Sequence, residues 1–294
     1  MSDDRPILHH HDPSPFAEKI RLAFGIKGLA WRSVQIPMAM PKPDLLALTG
    51  GYRGTPVLQV GADIYCDSRL IVAVIERLFP DPPLLRSGPL VNFGLQQWSD
   101  EALFPPGAAL AMHENGAAMP DGLLAERSRY FTNLDFGRFQ ADATHFRAQV
   151  AAHAALIEGQ LADGRDFLLG DAPEWADIGA YFPLWMLSGH VASGPAILAD
   201  KPWLAHWQAR MASFGTGNRS DLSAAEAIAI ARGRGVDASA DQRRGARLPG
   251  GPSRDRRHRP LGVRRRERDH PAPERRTRRR GGGPLPADRL PDRT

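Results

Sequence analysis

The fold of the N-terminal part of the chain is decided by residues 6–28, which read PILHHHDPSPFAEKIRLAFGIKG. A short run of strand character, 6–10, meets a cluster of helix-start residues at 12–15. Pro15 suits the first turn of a helix, where a fixed φ is favourable and no N–H is needed. The apolar residues that follow recur at helical spacing: Phe16, Ile20, Ala23 and Phe24. The stretch therefore predicts a strand that feeds a helix ending between Gly25 and Gly28.

The next fifty residues predict three more strands and a second helix. Residues 31–36 alternate and predict the second strand, whereas 37–43 are rich in proline and predict a loop or a short irregular helix. Residues 55–60 and 63–66 are two short strands joined by Gly61-Ala62, which has the composition of a tight hairpin. Asp67-Ser68 then opens a helix with a wide apolar face. The predicted order is β-α-β-loop-β-β-α.

Beyond the linker at residues 80–83, the pattern changes to helices. Strand signals nearly vanish between about 90 and 231, where alanine-rich helical patterns take over. Residues 103–120 contain prolines and glycines and are predicted to separate helices, while 125–161 have the length for one or two long ones. Residues 174–189 are apolar almost all round, which is typical of a helix at the centre of a bundle.

The last part of the chain, residues 232–294, has a different composition. It lacks Ile, Phe, Tyr, Trp, Met, Asn, Cys and Lys, and such a segment cannot form a packed core. We therefore predict a disordered tail rich in Arg, Gly and Pro. One explanation is an arginine-rich arm that binds nucleic acid through its phosphates. The other is a frameshift in a GC-rich gene, because the enriched residue types are largely those with GC-rich codons.

The charge of the chain is concentrated in this tail. Residues 232–294 hold 20 arginines against 8 acidic residues, a net charge of +12. Because the whole chain carries +5, residues 1–231 carry −7. The basic balance thus belongs to the tail, and nucleic acid is not expected as a partner of the folded part.

The single cysteine, Cys66, excludes an internal disulfide and a CxxC redox pair. The start of the chain, residues 1–4, lacks the pattern of a signal peptide. No apolar run approaches the roughly 18 residues that a spanning helix requires. We expect a cytoplasmic protein with no membrane segment.

Three motifs then stand in a recognisable order: Ser14-Pro15-Phe16 with Lys19 and Arg21 on the first helix, Thr55-Pro56-Val57-Leu58, and Asp67-Ser68. Together they resemble the glutathione-binding domain of glutathione S-transferases, closest to the serine-type classes. The resemblance covers about residues 5–230. It implies an α/β thioredoxin-like N-terminal domain at 1–82 and an all-α helical bundle domain at 90–231, followed by the tail.

The resemblance implies that Ser14 is the catalytic residue and that glutathione is the co-substrate. A hydroxyl donor and the positive end of a helix favour the thiolate of glutathione, whose sulfur is then the nucleophile. Ser14 would stabilise this thiolate without forming a covalent bond. The alternative is that Ser14 or Asp12 only caps the helix.

Further residues of the resemblance imply contacts to glutathione. Thr55 would precede a cis-proline, Pro56, and pair with the cysteinyl backbone of the ligand, unless Pro56 is a trans-proline that starts a strand. Asp67 and Ser68 would bind the γ-glutamyl end, although Ser68 also fits an ordinary helix cap. Arg53 would meet the glycyl carboxylate or remain solvated.

Other residues receive weaker assignments. Trp98, Phe104 and His113 would face a hydrophobic substrate or lie in the core, and His10 or His11 would have a local role beside the site. Cys66 ends a predicted core strand and is expected to be inert. The run of histidines at 9–11 predicts no metal site, because consecutive residues on a strand point to opposite faces.

Two departures from the family pattern stand out. Glu174 occupies the position before Asp177 where a Ser or Thr cap is usual, so Asp171 is an alternative cap. Residues 37–51 are unlike the lysine-bearing loop of many transferases.

The sequence supports an enzyme in which glutathione attacks a small hydrophobic or electrophilic molecule, and dimerisation is implied by the resemblance. The alternatives are a non-catalytic binding or assembly module of the same fold, and nucleic-acid binding through the tail.

Overall fold

A computed structural model describes residues 5–119, 122–130 and 135–233. It contains a five-stranded mixed sheet. The strands are β1 (Ile7–His10), β2 (Ala30–Gln35), β3 (Val57–Val60), β4 (Asp63–Cys66) and β5 (Asn218–Asp221). Their spatial order is β4-β3-β1-β2-β5. β1 runs parallel to β2 and antiparallel to β3, and β3 and β4 form the predicted hairpin, with Val60 opposite Asp63.

Three helices belong to this sheet: α1 (Pro15–Ile26), α2 (Pro43–Thr49) and α3 (Ser68–Leu78). α1 begins where the sequence predicts, because Ser14 caps it and Pro15 occupies the first turn. It also ends within the predicted window. Ile20 and Phe24 of α1 are fully buried with Trp31 of β2 in the main core. The predicted thioredoxin-like arrangement is confirmed.

The second half of the described chain is mostly helical. Its helices are α4 (Pro89–Trp98), α5 (Phe104–Asn115), α6 (Leu123–Tyr130), α7 (Phe139–Leu161), α8 (Trp175–His190), α9 (Gly194–Leu198), α10 (Pro202–Ser213) and α11 (Ala224–Gly233). Within the described ranges, no helix combines the length and apolar character needed to cross a membrane.

α8 is the buried centre of this helical part, as predicted. Its N-terminus is capped reciprocally: the Glu174 side chain accepts from the Asp177 backbone, and the Asp177 side chain accepts from the Glu174 N–H. Asp177 also accepts from the Trp207 indole at 3.0 Å, and burial raises its pKa to about 6. Glu174 therefore fills the cap position, and the alternative, Asp171, is not used.

The prediction for residues 103–120 is wrong in its main point. The segment is helical from Phe104 to Asn115 and continues from α4 through a π-helical segment, Ser99–Leu103. Pro105 and Pro106 follow the π-helical segment closely, within the first positions of α5. The prolines therefore mark a local change of helix type, which is common at a π-helical segment, and not a gap between helices.

The expectation that 90–231 is helical throughout also fails at one place. β5 lies in that range and pairs in parallel with β2, with Ala30 opposite Asn218. α11 follows it and packs on α2. The stretch 218–233 thus returns to the N-terminal sheet. The predicted tail, 232–294, lies outside the described residues except for its first two positions.

Candidate active site

A cleft of about 1010 Å³ lies between the N-terminal domain and the helical part. It brings together eight of the ten residues singled out from the sequence. These are His11, Ser14, Arg53, Thr55, Pro56, Asp67, Ser68 and Phe104. Residues far apart in the chain therefore share one surface.

Ser14 lies at the N-terminus of α1 and is only 4% exposed. Its Oγ accepts a hydrogen bond from Ala17 N at 3.2 Å, so Ser14 does cap the helix. A hydroxyl that accepts in this way still has its own proton to donate. Capping and donation into the cleft are therefore compatible, and the helix N-terminus adds a positive partial charge at this position.

Two neutral histidines precede Ser14, one at the end of β1 and one in the loop that follows. His10 is fully buried, and burial together with the Arg21 charge lowers its pKa to about 3. His11 lines the cleft, and burial followed by the charge of Lys42 lowers its pKa to about 4. Both imidazoles are uncharged at neutral pH. Within the described part of the chain, no group of three or more His, Cys, Asp or Glu is arranged to hold a metal ion.

Asp67 and Ser68 open α3 at one side of the cleft. Asp67 has a positive φ of 80°, and its Oδ1 accepts from Arg69 N at 2.8 Å. Ser68 is 8% exposed. The Asp67 carboxylate and the α3 N-terminus therefore offer an acceptor for a cation next to donors for an anion.

Thr55 and Pro56 lie between Arg53 and β3, and their peptide bond is cis, as the sequence predicts. A neighbour of Thr55 that the sequence does not reveal is Lys42. Its side chain is 5% exposed, and its Nζ donates to Thr55 Oγ1 at 3.2 Å and to Arg53 O at 3.3 Å. Burial and then the charge of Arg127 lower the pKa of Lys42 to about 8. A lysine does lie in the cleft, although residues 37–51 do not resemble the family loop.

The sequence leaves two alternatives for Arg53, contact with the glycyl carboxylate or a solvated side chain, and the structure shows a third partner. Its guanidinium pairs with the carboxylate of Glu126 on α6. The other oxygen of Glu126 accepts from Met40 N at 3.1 Å. One carboxylate of α6 therefore contacts the chain both before and after α2.

A buried ion pair lies at the base of the cleft. Lys19 is fully buried and pairs with Asp100, which lines the cleft. Its ammonium also lies 4.1 Å from the ring centroid of Phe182 and 4.6 Å from that of Phe16. Burial lowers the pKa of Lys19 to about 8.

The other half of the cleft is apolar. Its lining includes Phe104, Ala108 and Met112 of α5 and Met186 of α8. These α5 residues recur at helical spacing, and His113 falls off that face and does not line the cleft. Trp98 does not line it either, because its ring packs edge-on against His153 of α7 at 5.5 Å.

Cys66 is partly buried at the end of β4, outside the cleft lining. Burial, together with the neighbouring Asp67 charge, raises the pKa of its thiol. A thiol in this state is a poor nucleophile, in agreement with the prediction that it is inert.

Comparison with known proteins gives a consistent result. Residues 8–83 match the family model described as glutathione S-transferase, N-terminal domain. The crystal structure of a GST-like protein from Pseudomonas syringae shares 39% sequence identity, with a TM-score of 0.64. The similarity covers 78% of this chain and 74% of that protein.

Two further similarities are more distant. The probable glutathione S-transferase parA of Nicotiana tabacum is 26% identical over 101 residues, which make up 34% of this chain and 46% of the plant protein. The chain spans less than half the length of the curated relatives it matches. A glutathione transferase family member from Pseudomonas fluorescens, solved with two glutathione bound, has 13% identity and a TM-score of 0.54. The similarity covers 71% of this chain and 89% of that protein, and it is a similarity of fold.

Proposed function

Because the chain belongs to the glutathione S-transferase superfamily, we propose that its cleft binds glutathione and that Ser14 holds the thiol of this co-substrate as a thiolate. The sulfur attacks an electrophilic carbon of a small molecule. A carbon–sulfur bond forms, and the displaced group leaves with its electron pair. The reaction needs no redox partner.

The observation that carries this proposal is the hydrogen bonding of Ser14. Its oxygen is already used by Ala17 N, and no contact among the described residues uses its proton. A hydroxyl proton directed at a sulfur favours the charged form of that sulfur and lowers its pKa. A reduction by about two units corresponds to roughly 2.7 kcal/mol, a contribution that one charge-assisted hydrogen bond and a helix N-terminus can largely supply.

Charges at the two sides of the cleft support an orientation for glutathione. Asp67 and the N-terminus of α3 suit the ammonium and carboxylate of the γ-glutamyl group. Lys42 suits the glycyl carboxylate. Arg53 could also bind this carboxylate only if its ion pair with Glu126 broke. Thr55, between these sides, is in place to pair with the cysteinyl backbone.

The apolar half of the cleft supports a hydrophobic electrophile. Methionine side chains are flexible and polarisable, so Met112 and Met186 adapt to differently shaped apolar molecules. Phe104 offers a flat surface on which a ring can pack. We propose a small aromatic or other apolar electrophile as the second substrate.

We also propose that the protein forms a homodimer through α3 and α4. Leu70 on α3 and Leu90 on α4 are large apolar side chains that are 41% and 86% exposed. Burying such side chains against a second copy is favourable. Light scattering of Leu90→Glu should show a monomer, whereas Leu156→Glu, which changes a 63% exposed leucine on α7, should leave the dimer intact. A monomeric wild type would refute the dimer.

The test of the catalytic proposal compares two helix caps. Ser14→Ala should lower turnover of a generic aryl halide on the order of 100-fold, a typical cost of losing one donor to a developing anion. Ser223→Ala is the matched control, because Ser223 Oγ also accepts an N–H at the start of a helix, from Glu226. It should lose stability but not activity.

The melting temperature of the full chain with rising glutathione provides the binding readout. A ligand that binds only the folded state raises the melting temperature by mass action. We expect a rise in the wild type and in both variants. No rise in the wild type would overturn glutathione binding, and equal activity in Ser14→Ala would overturn the role of Ser14.

A further inference from the structure

We propose that Arg21 is a positioning residue that holds the loop His11–Pro13 and thereby fixes the hydroxyl of Ser14. The inference rests on the thiolate-stabilising function proposed above for Ser14. Arg21 lies on α1, two residues after Lys19, and is itself 5% exposed. It does not line the cleft, so it acts through the loop rather than on the substrate.

The contacts of Arg21 follow the backbone that leads to Ser14. Its Nη2 donates to the carbonyl of Asp12 at 2.9 Å, and its Nη1 lies 3.5 Å from the carbonyl of His11. The same His11 carbonyl accepts from Ser14 N at 3.0 Å. One guanidinium thus reaches two consecutive carbonyls, and the first of them also binds the backbone of the proposed catalytic residue.

The loop needs such an external donor because it has few of its own. Pro13 and Pro15 have no N–H, so they cannot donate backbone hydrogen bonds on either side of Ser14. Buried carbonyls that find no donor destabilise a conformation. The guanidinium supplies donors where the sequence removes them.

Arg21 is in turn fixed by two buried partners. Glu18 accepts from Nε at 2.8 Å and from Nη2 at 2.6 Å, and His10 Nδ1 lies 3.1 Å from Nη1. Because a guanidinium can only donate, His10 Nδ1 must accept. The ring proton is then on Nε2 and is donated to Ser33 Oγ at 3.0 Å. Its low pKa keeps His10 in this accepting form at neutral pH.

A second arginine holds the same loop from outside. Arg219 of β5 pairs with the Asp12 carboxylate at 2.9 Å, and Gln35 Nε2 donates to it at 3.1 Å. The Asp12 side chain is 60% exposed, so solvent and salt weaken this pair. The contact from Arg21, whose side chain is buried, should therefore dominate.

Arg21→Lys tests the inference. An ammonium is a compact point charge. It cannot reproduce a planar guanidinium that contacts two backbone carbonyls and, in addition, the side chains of Glu18 and His10. Arg32→Lys is the matched control, because Arg32 is also buried, at 6% exposure, but lies on β2 and donates to Arg5 O. The readouts are the ultraviolet absorbance of the bound thiolate against pH, kcat and KM for glutathione, and the melting temperature.

In Arg21→Lys, the pKa of the bound thiol should move toward that of free glutathione. The value of kcat/KM at neutral pH should fall about 10- to 100-fold, because a misplaced reacting group lowers the rate by about this factor. The KM for glutathione should change little. Arg32→Lys should change only the melting temperature, and Arg219→Gln should change kcat/KM by no more than about twofold.

An unchanged pKa of the bound thiol in Arg21→Lys, with a loss of melting temperature like that of Arg32→Lys, would show that Arg21 is merely structural. If Arg21→Lys does not fold, Glu18→Gln loosens the same guanidinium, and an unchanged thiol pKa there overturns the inference equally. A wild type without a thiolate signal or turnover would instead refute the proposed function, and this inference with it.

Discussion

The ammonium group of Lys42 donates to the hydroxyl of Thr55 across 3.2 Å, joining the start of α2 to the residue before cis-Pro56. Lys42 is therefore held in the cleft before any ligand arrives, and little side-chain entropy remains to be lost on binding. Replacing it tests the orientation proposed for glutathione.

Lys42→Met should raise the KM for glutathione about tenfold, the effect of losing about 1.4 kcal/mol of binding, and leave kcat nearly unchanged. Lys201→Met, on the segment before α10 and outside the cleft, is the control. Steady-state kinetics at saturating electrophile measures both. A variant with reduced kcat and an unchanged KM would place Lys42 in the chemistry instead of in ligand binding.

Affinity should also depend on pH in a particular direction. Lys42 has a pKa of about 8 without ligand, so raising the pH through 8 removes the charge that attracts the glycyl carboxylate. The Kd of S-methylglutathione, which has no ionisable thiol, should be constant below this pH and rise above it, by at most about tenfold per unit. Calorimetry on Lys42→Met should show a flatter profile, since only the ligand's ammonium then titrates. Identical profiles would argue against Lys42 as the carboxylate partner.

Gly25 on α1 should not tolerate a side chain. A Cβ at this position would collide with the carbonyl of Gly215 and lie 2.7 Å from Phe214 O. Gly25→Ala should therefore lower the free energy of unfolding by about 1–3 kcal/mol, measured by urea denaturation. Gly159→Ala on the exposed face of α7, where nothing lies within 4 Å, should instead stabilise by about 0.4–1 kcal/mol. Equal effects would show that the α1 contact is not as close as described.

His11 should make the protein sensitive to acid. Its pKa is about 4 in the folded protein against 6.5 for an ordinary histidine, so between these values the unfolded chain binds a proton that the folded protein does not. Stability should fall as pH decreases from 6.5 to 4, by up to about 1.4 kcal/mol per pH unit from this group. His11→Gln should show a shallower decline in urea denaturation, while the exposed His206→Gln on α10 should match the wild type. A decline in His11→Gln as steep as in the wild type would contradict the burial of a neutral His11.

The sequence predicts the N-terminal elements well because their signals are local. Ser14 and Asp67 precede helices with apolar periodicity, and caps act over one turn. Gly61-Ala62 predicts the hairpin for the same reason. Six residues assigned to catalysis or to glutathione binding lie in one cleft because they occupy the ends of these elements.

What the sequence does not predict depends on contacts between distant segments. β5 is four polar residues, Asn218–Asp221, with no alternating pattern, and only its pairing with β2 makes it a strand. Lys42 lies in the cleft with its ammonium group donating to Thr55, a contact that no spacing reveals. The place of Trp98 and His113 in the chain is compatible with the substrate pocket or the core, and the direction of a helical side chain decides what it touches.

The return of β5 to the sheet sets an order for folding during synthesis. β2 lies at the edge of the sheet until residues 218–221 have left the ribosome, which is after α4 to α10 have been made. An open edge is a template for pairing with other chains. A ribosome that stalls before residue 218 would therefore expose a sheet prone to aggregation, and the strand that protects it is among the last described residues to be translated.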